Sequence, residues 1–205
     1  EFIRAALQDN AAYVRDRYGS HAGLAVESKG DANDLLTEVD VAVQRNLVDR
    51  IRRAYPDDAV VAEEEGYHGF PDGSDGRAWL IDPIDGTQNF VRSLFPQFGI
   101  SLALAQNGVP VAGGIAMAAA DMLFLAERGA GAFENGRRLH VSSVDQVAAI
   151  RAEIDFSHQG DRPATLRRFG EVMVRTGQVR CHGAAVVGLC GIATGDSDAY
   201  LHVTL

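Results

Sequence analysis

The chain has 205 residues, 46% hydrophobic content and a formal net charge of −9. That length suits one large domain or two small ones with a real core, and the negative balance argues against a nucleic-acid surface, which is usually basic. No apolar stretch approaches the ~20 residues needed to span a bilayer, because Gln106, Asn107, Gly108 and Pro110 interrupt the fairly apolar region 103–120.

Ile3, Leu7, Ala11, Val14 and Tyr18 recur at helical spacing and predict an amphipathic helix that Gly19 ends. It starts without a cap, and the first residue is Glu1 rather than Met, so preceding sequence is expected. Lys29-Gly30-Asp31-Ala32-Asn33-Asp34 reads as a polar, turn-rich loop. Thr37 then starts a second helix with Asp40 at the capping-box position. Val39, Val43, Leu47 and Ile51 form its buried stripe, and Tyr55-Pro56-Asp57-Asp58 stops it. Residues 59–62 predict a short strand running into Glu63-Glu64-Glu65, and a Gly/Asp-rich stretch over 66–76 follows.

The next strand is expected over 78–81, with the chain turning away at Asp82-Pro83. Residues 99–105 alternate as a strand, Asn107-Gly108 signals a hairpin, and 109–117 returns. Residues 122–127 add a strand, and Asn135-Gly136 marks a second hairpin near Val141 and Ser142. The pattern changes near residue 145: a strand over 152–156, a helix over 162–176 and a small-residue helix over 183–193 with Gly195 at its end. A last strand begins at Ala199, so further sequence is expected beyond Leu205. Cys181 and Cys190 are too few for a disulfide scaffold and have no metal-binding spacing, which points to structural thiols and a cytoplasmic setting.

The richest segment is Trp79-Leu80-Ile81-Asp82-Pro83-Ile84-Asp85-Gly86-Thr87-Gln88-Asn89-Phe90. An apolar strand end delivers two carboxylates that can point at one spot. Gly86 permits backbone angles or close approaches that other residues avoid. Thr87 offers a hydroxyl and a candidate N-cap, and the N–H groups of a helix start attract phosphate. Carboxylates beside a phosphate repel it unless a cation lies between them, so the simplest reading is a Mg²⁺ site holding a phosphate ester.

Glu63, with Glu64 as second choice, also follows an apolar strand. If the two strands are neighbours, three carboxylates can bind a hard divalent cation through oxygen. Taken alone, Asp82 and Asp85 are also common turn formers. Asp40 is either only a cap or a further ligand of metal or water. Lys29 is either a surface lysine or a phosphate contact. His21, His68, His140, His158, His182 and His202 show no metal-ligand spacing and read as surface or core residues. Ser20, Ser142 and Ser143 lack a nucleophile-elbow context.

Residues 79–90 closely resemble the first signature of the inositol monophosphatase family. The resemblance extends to Asp34-Leu35-Leu36-Thr37-Glu38-Val39-Asp40 and to Ala62-Glu63-Glu64-Glu65, where Ala and Glu stand for the family's Gly and Ser. It continues through the hairpin from Glu127-Arg128-Gly129 to Asn135-Gly136, through Gly183-Ala184-Ala185, and through Asp198-Ala199-Tyr200. Each piece is short; the ordered set spans nearly the whole chain and is highly specific.

The resemblance implies an α+β fold, a layered αβαβα sandwich of the inositol monophosphatase and fructose-1,6-bisphosphatase type. The change of pattern near residue 145 divides the chain into an N-terminal α+β part, 1–145, carrying the metal site, and a C-terminal α/β part, 146–205, expected to continue beyond it, together one compact phosphatase unit. The resemblance implies that Glu63, Asp82, Asp85 and the Ile84 carbonyl hold Mg²⁺, two or three ions per site. Glu63, Thr87 and Asp40 would be catalytic, with Asp40 and Thr87 positioning and activating the attacking water. Asp85, Gly86, Thr87, Gly183, Ala184, Ala185 and His202 would bind substrate. A homodimer, inhibition by lithium, a small phosphate-ester substrate and no nucleic-acid or membrane partner complete the expectation. His202 stands where inositol-specific relatives commonly place Glu, and the family's following Trp-Asp pair would lie beyond Leu205.

The function expected is therefore a Mg²⁺-dependent phosphomonoesterase for a small phosphorylated polyol such as inositol monophosphate. The alternative within the same fold is a phosphatase of histidinol phosphate or 3'-phosphoadenosine 5'-phosphate. A catalytically weak regulatory binding protein is the alternative of another class.

Overall fold

The computed structural model describes residues 1–19, 24–29, 35–64, 76–93, 95–156 and 162–202. Ser20, His21, Asp34, Glu65, His68, His158 and Val203 lie outside them, as do residues 30–33 and 66–75. Two units divide the chain, Glu1–Arg138 and Leu139–Leu205.

In the first unit, helix α1 (Phe2–Arg17) starts at Glu1 with no side-chain cap and buries Ile3, Ala6, Leu7, Ala11 and Val14. Strands β1 (Val26–Ser28) and β2 (Leu35–Thr37) form a small antiparallel sheet. Helix α2 (Glu38–Ala54) opens on a complete capping box. Thr37 Oγ1 accepts from the N–H groups of Val39 and Asp40, and Asp40 Oδ2 accepts from the Thr37 N–H at 2.9 Å.

The main sheet runs in spatial order β3 (Ala59–Ala62), β4 (Arg77–Asp85), β5 (Gly99–Gln106), β6 (Val109–Met117), β7 (Met122–Glu127), β8 (Gly131–Glu134) and β9 (Arg137–Arg138). Only the β3–β4 pair is parallel; the rest are antiparallel. Asn107 and Gly108, and Asn135 and Gly136, take positive φ at their hairpins, as two-residue turns of this type require. The second hairpin returns at once as β9, not near Val141 and Ser142 as expected, because its two-residue turn leaves no room for a longer excursion.

Helix α1 packs on β5 and β6, and α2 packs on β4. Gly114 of β6 lets α1 come close: a Cβ there would sit 2.7 Å from Leu7 Cδ1 and 2.9 Å from the Phe124 carbonyl. Trp79 anchors the other end. Its ring stacks on Tyr55 at 5.3 Å, meets Phe2 at 5.1 Å and donates Nε1–H to Asp58 at 2.7 Å. Burying each such aromatic or aliphatic side chain contributes about 1.5–3 kcal/mol.

Strand β4 does not end at Ile81. It continues through Pro83 to Asp85, with a bulge against β5: Asp82 faces Ser101 and Asp85 faces Gly99. Pro83 has no N–H to give a ladder, and β3 has already ended opposite Ile81. A bulge at the end of the parallel pairing is where proline is tolerated. Thr87 is likewise not the N-cap of the next helix. Gly86, at φ 88°, caps α3 (Thr87–Arg92), and Thr87 is its first residue.

The second unit is a three-stranded parallel sheet in order β11 (Gln178–Arg180), β10 (Arg151–Ile154), β12 (Ala199–Leu201). Helices α4 (Arg162–Met173) and α5 (Ala185–Thr194) connect it, and Gly195 in the left-handed region ends α5. Asp198 fastens the strand starts: it accepts from the Arg151 N–H at 2.7 Å, from the Arg151 guanidinium at 3.2 Å and from Ser142 Oγ. Strand β11 was not expected from the sequence; its three residues are all exposed and carry no alternation.

Candidate active site

Parallel pairing decides the site. Ala62 faces Ile81 in register, so the first residues beyond each, Glu63 and Asp82, emerge side by side. The Glu63 N–H donates to the Ile81 carbonyl at 3.1 Å and extends that pairing by one step. Glu63 stays 45% exposed, while Glu64 is turned inward and is 9% exposed.

Asp82 Oδ1 is buried without a hydrogen-bond donor. Burial, followed by the charges of Glu63 and Asp85, pushes the Asp82 carboxyl well above the usual carboxylate range, with Asp40 adding to the effect. Four acids thus crowd one region, and among the described residues the buried Asp82 Oδ1 has no hydrogen-bond donor. A hard cation with several oxygen ligands satisfies this donor set, and the unpaired Oδ1 gives it an anchor. Among the described residues, no three acidic, histidine or cysteine side chains already close on one point as a cage.

Lys29 is the protein's own cation here. Its Nζ donates to Glu64 Oε1 at 2.6 Å and Glu63 Oε1 at 3.0 Å. Burial opposes the ammonium charge, but the two glutamates together hold its pKa above the ordinary lysine value. Lys29 therefore faces carboxylates, not a free phosphate position. Gln44, one helical turn beyond Asp40, accepts from the Glu64 N–H at 2.9 Å through Oε1. Gln44 was missed in the sequence. The signal was a buried polar side chain on the same helix as the stripe Val39, Val43 and Leu47.

Asp40 is fully buried. Burial raises its pKa, and the donors from Thr37 and Thr87 pull it partly back. Oδ2 accepts from the Thr37 backbone and hydroxyl, while Thr87 Oγ1 lies 3.2 Å from Oδ1. The same Thr87 hydroxyl lies 2.9 Å from the Ile84 carbonyl. One hydroxyl proton can serve only one of those acceptors at a time. Asp40 is thus both cap and neighbour of the strand-end acids, and α2 carries it there from a different part of the chain. Gly86, at φ 88°, turns the backbone at the start of α3, where the Thr87 hydroxyl reaches back to the Ile84 carbonyl at 2.9 Å.

Gly183, Ala184, Ala185 and His202 belong to the second unit. Gly183, at φ 68°, precedes α5, whose N-cap is Ala184 with no side-chain cap bond. His202 follows β12 and its ring stacks on Tyr200 at 6.3 Å. His182, expected as a surface or core residue, is partly buried, with its Nδ1 2.8 Å from Glu153 Oε2. Cys181 is exposed, Cys190 buried, and both are free thiols.

The sequence profile of the inositol monophosphatase family matches residues 1–205. A fructose-1,6-bisphosphatase/inositol-1-monophosphatase of Thermotoga maritima is 38% identical over 181 residues, which is 86% of this chain and 65% of that protein. The chain thus spans a little under two thirds of that relative's length. The extragenic suppressor protein suhB of Bartonella henselae superposes with a TM-score of 0.88 at 29% identity, covering 97% of this chain and 76% of that one. The inositol monophosphate-bound structure of SaIMPase-II superposes with a TM-score of 0.76 at 26% identity, covering 98% and 71%.

Proposed function

This chain belongs to the inositol monophosphatase family, with that family's α+β fold, and we propose that it is a Mg²⁺-dependent phosphomonoesterase acting on a small phosphorylated polyol. The observation that carries the reading is the parallel β3–β4 pair, which sets Glu63 beside an Asp82 whose Oδ1 lacks a donor. Support also comes from SaIMPase-II, a structural neighbour that binds inositol monophosphate.

Glu63, Asp82, Asp85 and the Ile84 carbonyl would hold Mg²⁺, two or three ions per site. When bound, the ions supply charge compensation for the phosphate and lower the pKa of water towards neutrality. The chain's own residues do the rest. Asp40 draws the Thr87 hydroxyl proton towards itself, which turns a Thr87 oxygen lone pair outward. That lone pair would accept a hydrogen bond from the attacking water and orient it; a proton leaving the water would pass to Thr87 only as the Thr87 proton passes to Asp40. Thr37 and the start of α2 keep the Asp40 carboxylate in place, so little reorganisation accompanies the reaction. Gly86, with no side chain, would allow a phosphate oxygen to approach the start of α3. No covalent enzyme intermediate is required.

Substrate contacts are assigned to Asp85, Gly86 and Thr87 in the first unit and to Gly183, Ala184, Ala185 and His202 in the second. A homodimer, inhibition by Li⁺ and a cytoplasmic setting belong to the same reading. No described helix is long and apolar enough to cross a membrane.

A panel of esters tests the function. Myo-inositol 1-phosphate, histidinol phosphate, fructose 1,6-bisphosphate and 3'-phosphoadenosine 5'-phosphate are each offered with Mg²⁺. The reading expects the fastest phosphate release from the polyol monophosphate. Release from none of them, by folded protein, contradicts it.

A further inference from the structure

Two turns in the first unit share a backbone and differ in one respect. Of the six asparagines in the chain, only Asn107 and Asn135 precede a glycine. Each Asn-Gly pair is a two-residue hairpin loop, one joining β5 to β6 and the other β8 to β9. The backbones match: Asn107 and Gly108 have φ 52° and 74°, Asn135 and Gly136 φ 47° and 86°. All four residues are exposed, and a Cβ on either glycine would meet nothing within 4 Å. The side chains do not match. Asn135 is tied at both polar atoms: Oδ1 accepts from the Leu123 N–H at 2.9 Å, and Nδ2 donates to the Asp121 carbonyl at 3.0 Å. The Asn107 side chain makes no hydrogen bond among the described residues, while its backbone N–H donates to the Gly76 carbonyl at 3.1 Å.

An asparagine followed by glycine carries its own reaction. The glycine nitrogen can attack Asn Cγ, because no Cβ on the glycine hinders the approach. The N–Cγ bond forms, the Cγ–Nδ2 bond breaks, and Nδ2 leaves as ammonia with the proton of the glycine N–H. The five-membered imide then takes up one water. Opening at the side-chain carbonyl gives aspartate, and opening at the backbone carbonyl gives isoaspartate. Whatever distortion the turn must undergo is common to both loops. Asn135 must in addition release two hydrogen bonds before Cγ can swing to the Gly136 nitrogen.

We propose that Asn107 is a site of spontaneous deamidation in the folded protein, and that the Leu123 N–H and the Asp121 carbonyl protect Asn135 from the same reaction. Water is the only reagent, and the phosphatase reading is not needed for it. The product is a new carboxylate at an exposed hairpin tip. Its iso form adds a methylene to the backbone of a loop whose two residues set β5 against β6, with Gln106 facing Val109. The β5–β6 hairpin is therefore the point at which the chain ages.

The test holds the full chain folded at mildly alkaline pH and samples it over time. Cleavage after arginine places Asn107 and Asn135 on separate peptides, 93–128 and 129–137, and mass spectrometry reads the acid formed in each. Asn107 is expected to convert roughly thirtyfold faster than Asn135, the factor that two ordinary hydrogen bonds supply. In guanidinium chloride, where the turns are lost, the two rates are expected to converge. Gly108→Ala, which hinders the attacking nitrogen, is expected to slow Asn107 in both conditions. Equal rates in the folded protein, whether both fast or both undetectable, overturn the proposal. So does a difference that persists in guanidinium chloride, since the tether would then not be its cause. Undiminished conversion in Gly108→Ala excludes attack by the glycine nitrogen and overturns it as well.

Discussion

Thr87 Oγ1 lies 3.2 Å from Asp40 Oδ1, joining residues separated by 47 positions in the sequence. The contact couples the first residue of a six-residue helix to a fully buried acid at the start of a long one. Through it the capping device of α2 touches the strand-end motif by way of a hydroxyl proton.

That contact predicts the kinetics of Thr87→Ala. Losing a hydroxyl that orients the attacking water lowers kcat by roughly 10²-fold or more, with a much smaller change in KM. Thr87→Ser, which keeps the hydroxyl, retains most of the rate. A pure KM effect in steady-state assays would make Thr87 a binding residue instead.

Asp82→Asn separates stability from activity. The substitution replaces a buried carboxyl whose Oδ1 lacks a donor and whose ionisation Glu63, Asp85 and Asp40 oppose. In EDTA the variant melts higher than wild type by roughly 2–4 °C, corresponding to ~1 kcal/mol in a chain of this size. Added Mg²⁺ raises the Tm of wild type and not of the variant. A variant that melts lower in EDTA would show that Asp82 is held by protein donors alone.

Gln44→Leu leaves the Glu64 N–H buried without its acceptor. The expected cost is about 1–3 kcal/mol by denaturant unfolding. Because the Glu63–Glu64 peptide loses its tether, the apparent affinity for Mg²⁺ falls as well. Gln44→Glu, which keeps an acceptor oxygen, loses less on both measures.

Asp198 gives the second unit its pH dependence. The Arg151 side chain, Ser142 and the Arg151 N–H hold its carboxyl well below the usual range. A depressed folded-state pKa contributes stability that is present above the unfolded value, about 4, and is lost as pH falls through the folded one. Asp198→Asn therefore melts below wild type at pH 7, and the gap narrows as pH drops below about 4. A gap that is constant with pH would mean the carboxylate charge does not contribute.

Much of this was legible in the residues. Thr37 and Asp40 declared the capping box, Asn107-Gly108 and Asn135-Gly136 declared their hairpins, and the apolar spacing of Val39, Val43, Leu47 and Ile51 declared the buried face of α2. Pairing was not legible. Nothing local says that β3 and β4 run parallel in a sheet otherwise antiparallel, yet that decides which glutamate stands beside Asp82. Pro83 misled because a proline at a bulge and a proline at a strand exit look alike in sequence. Gln44 escaped notice because its partner, the Glu64 N–H, lies 20 positions away.

The most direct test of the account is phosphate release from myo-inositol 1-phosphate by wild type and Asp82→Asn, side by side, with Mg²⁺, then EDTA, then Mg²⁺ restored. The account predicts release by wild type that stops with EDTA and returns with Mg²⁺, and almost none from Asp82→Asn at any stage. Release that survives EDTA, or an Asp82→Asn variant as fast as wild type, would contradict it.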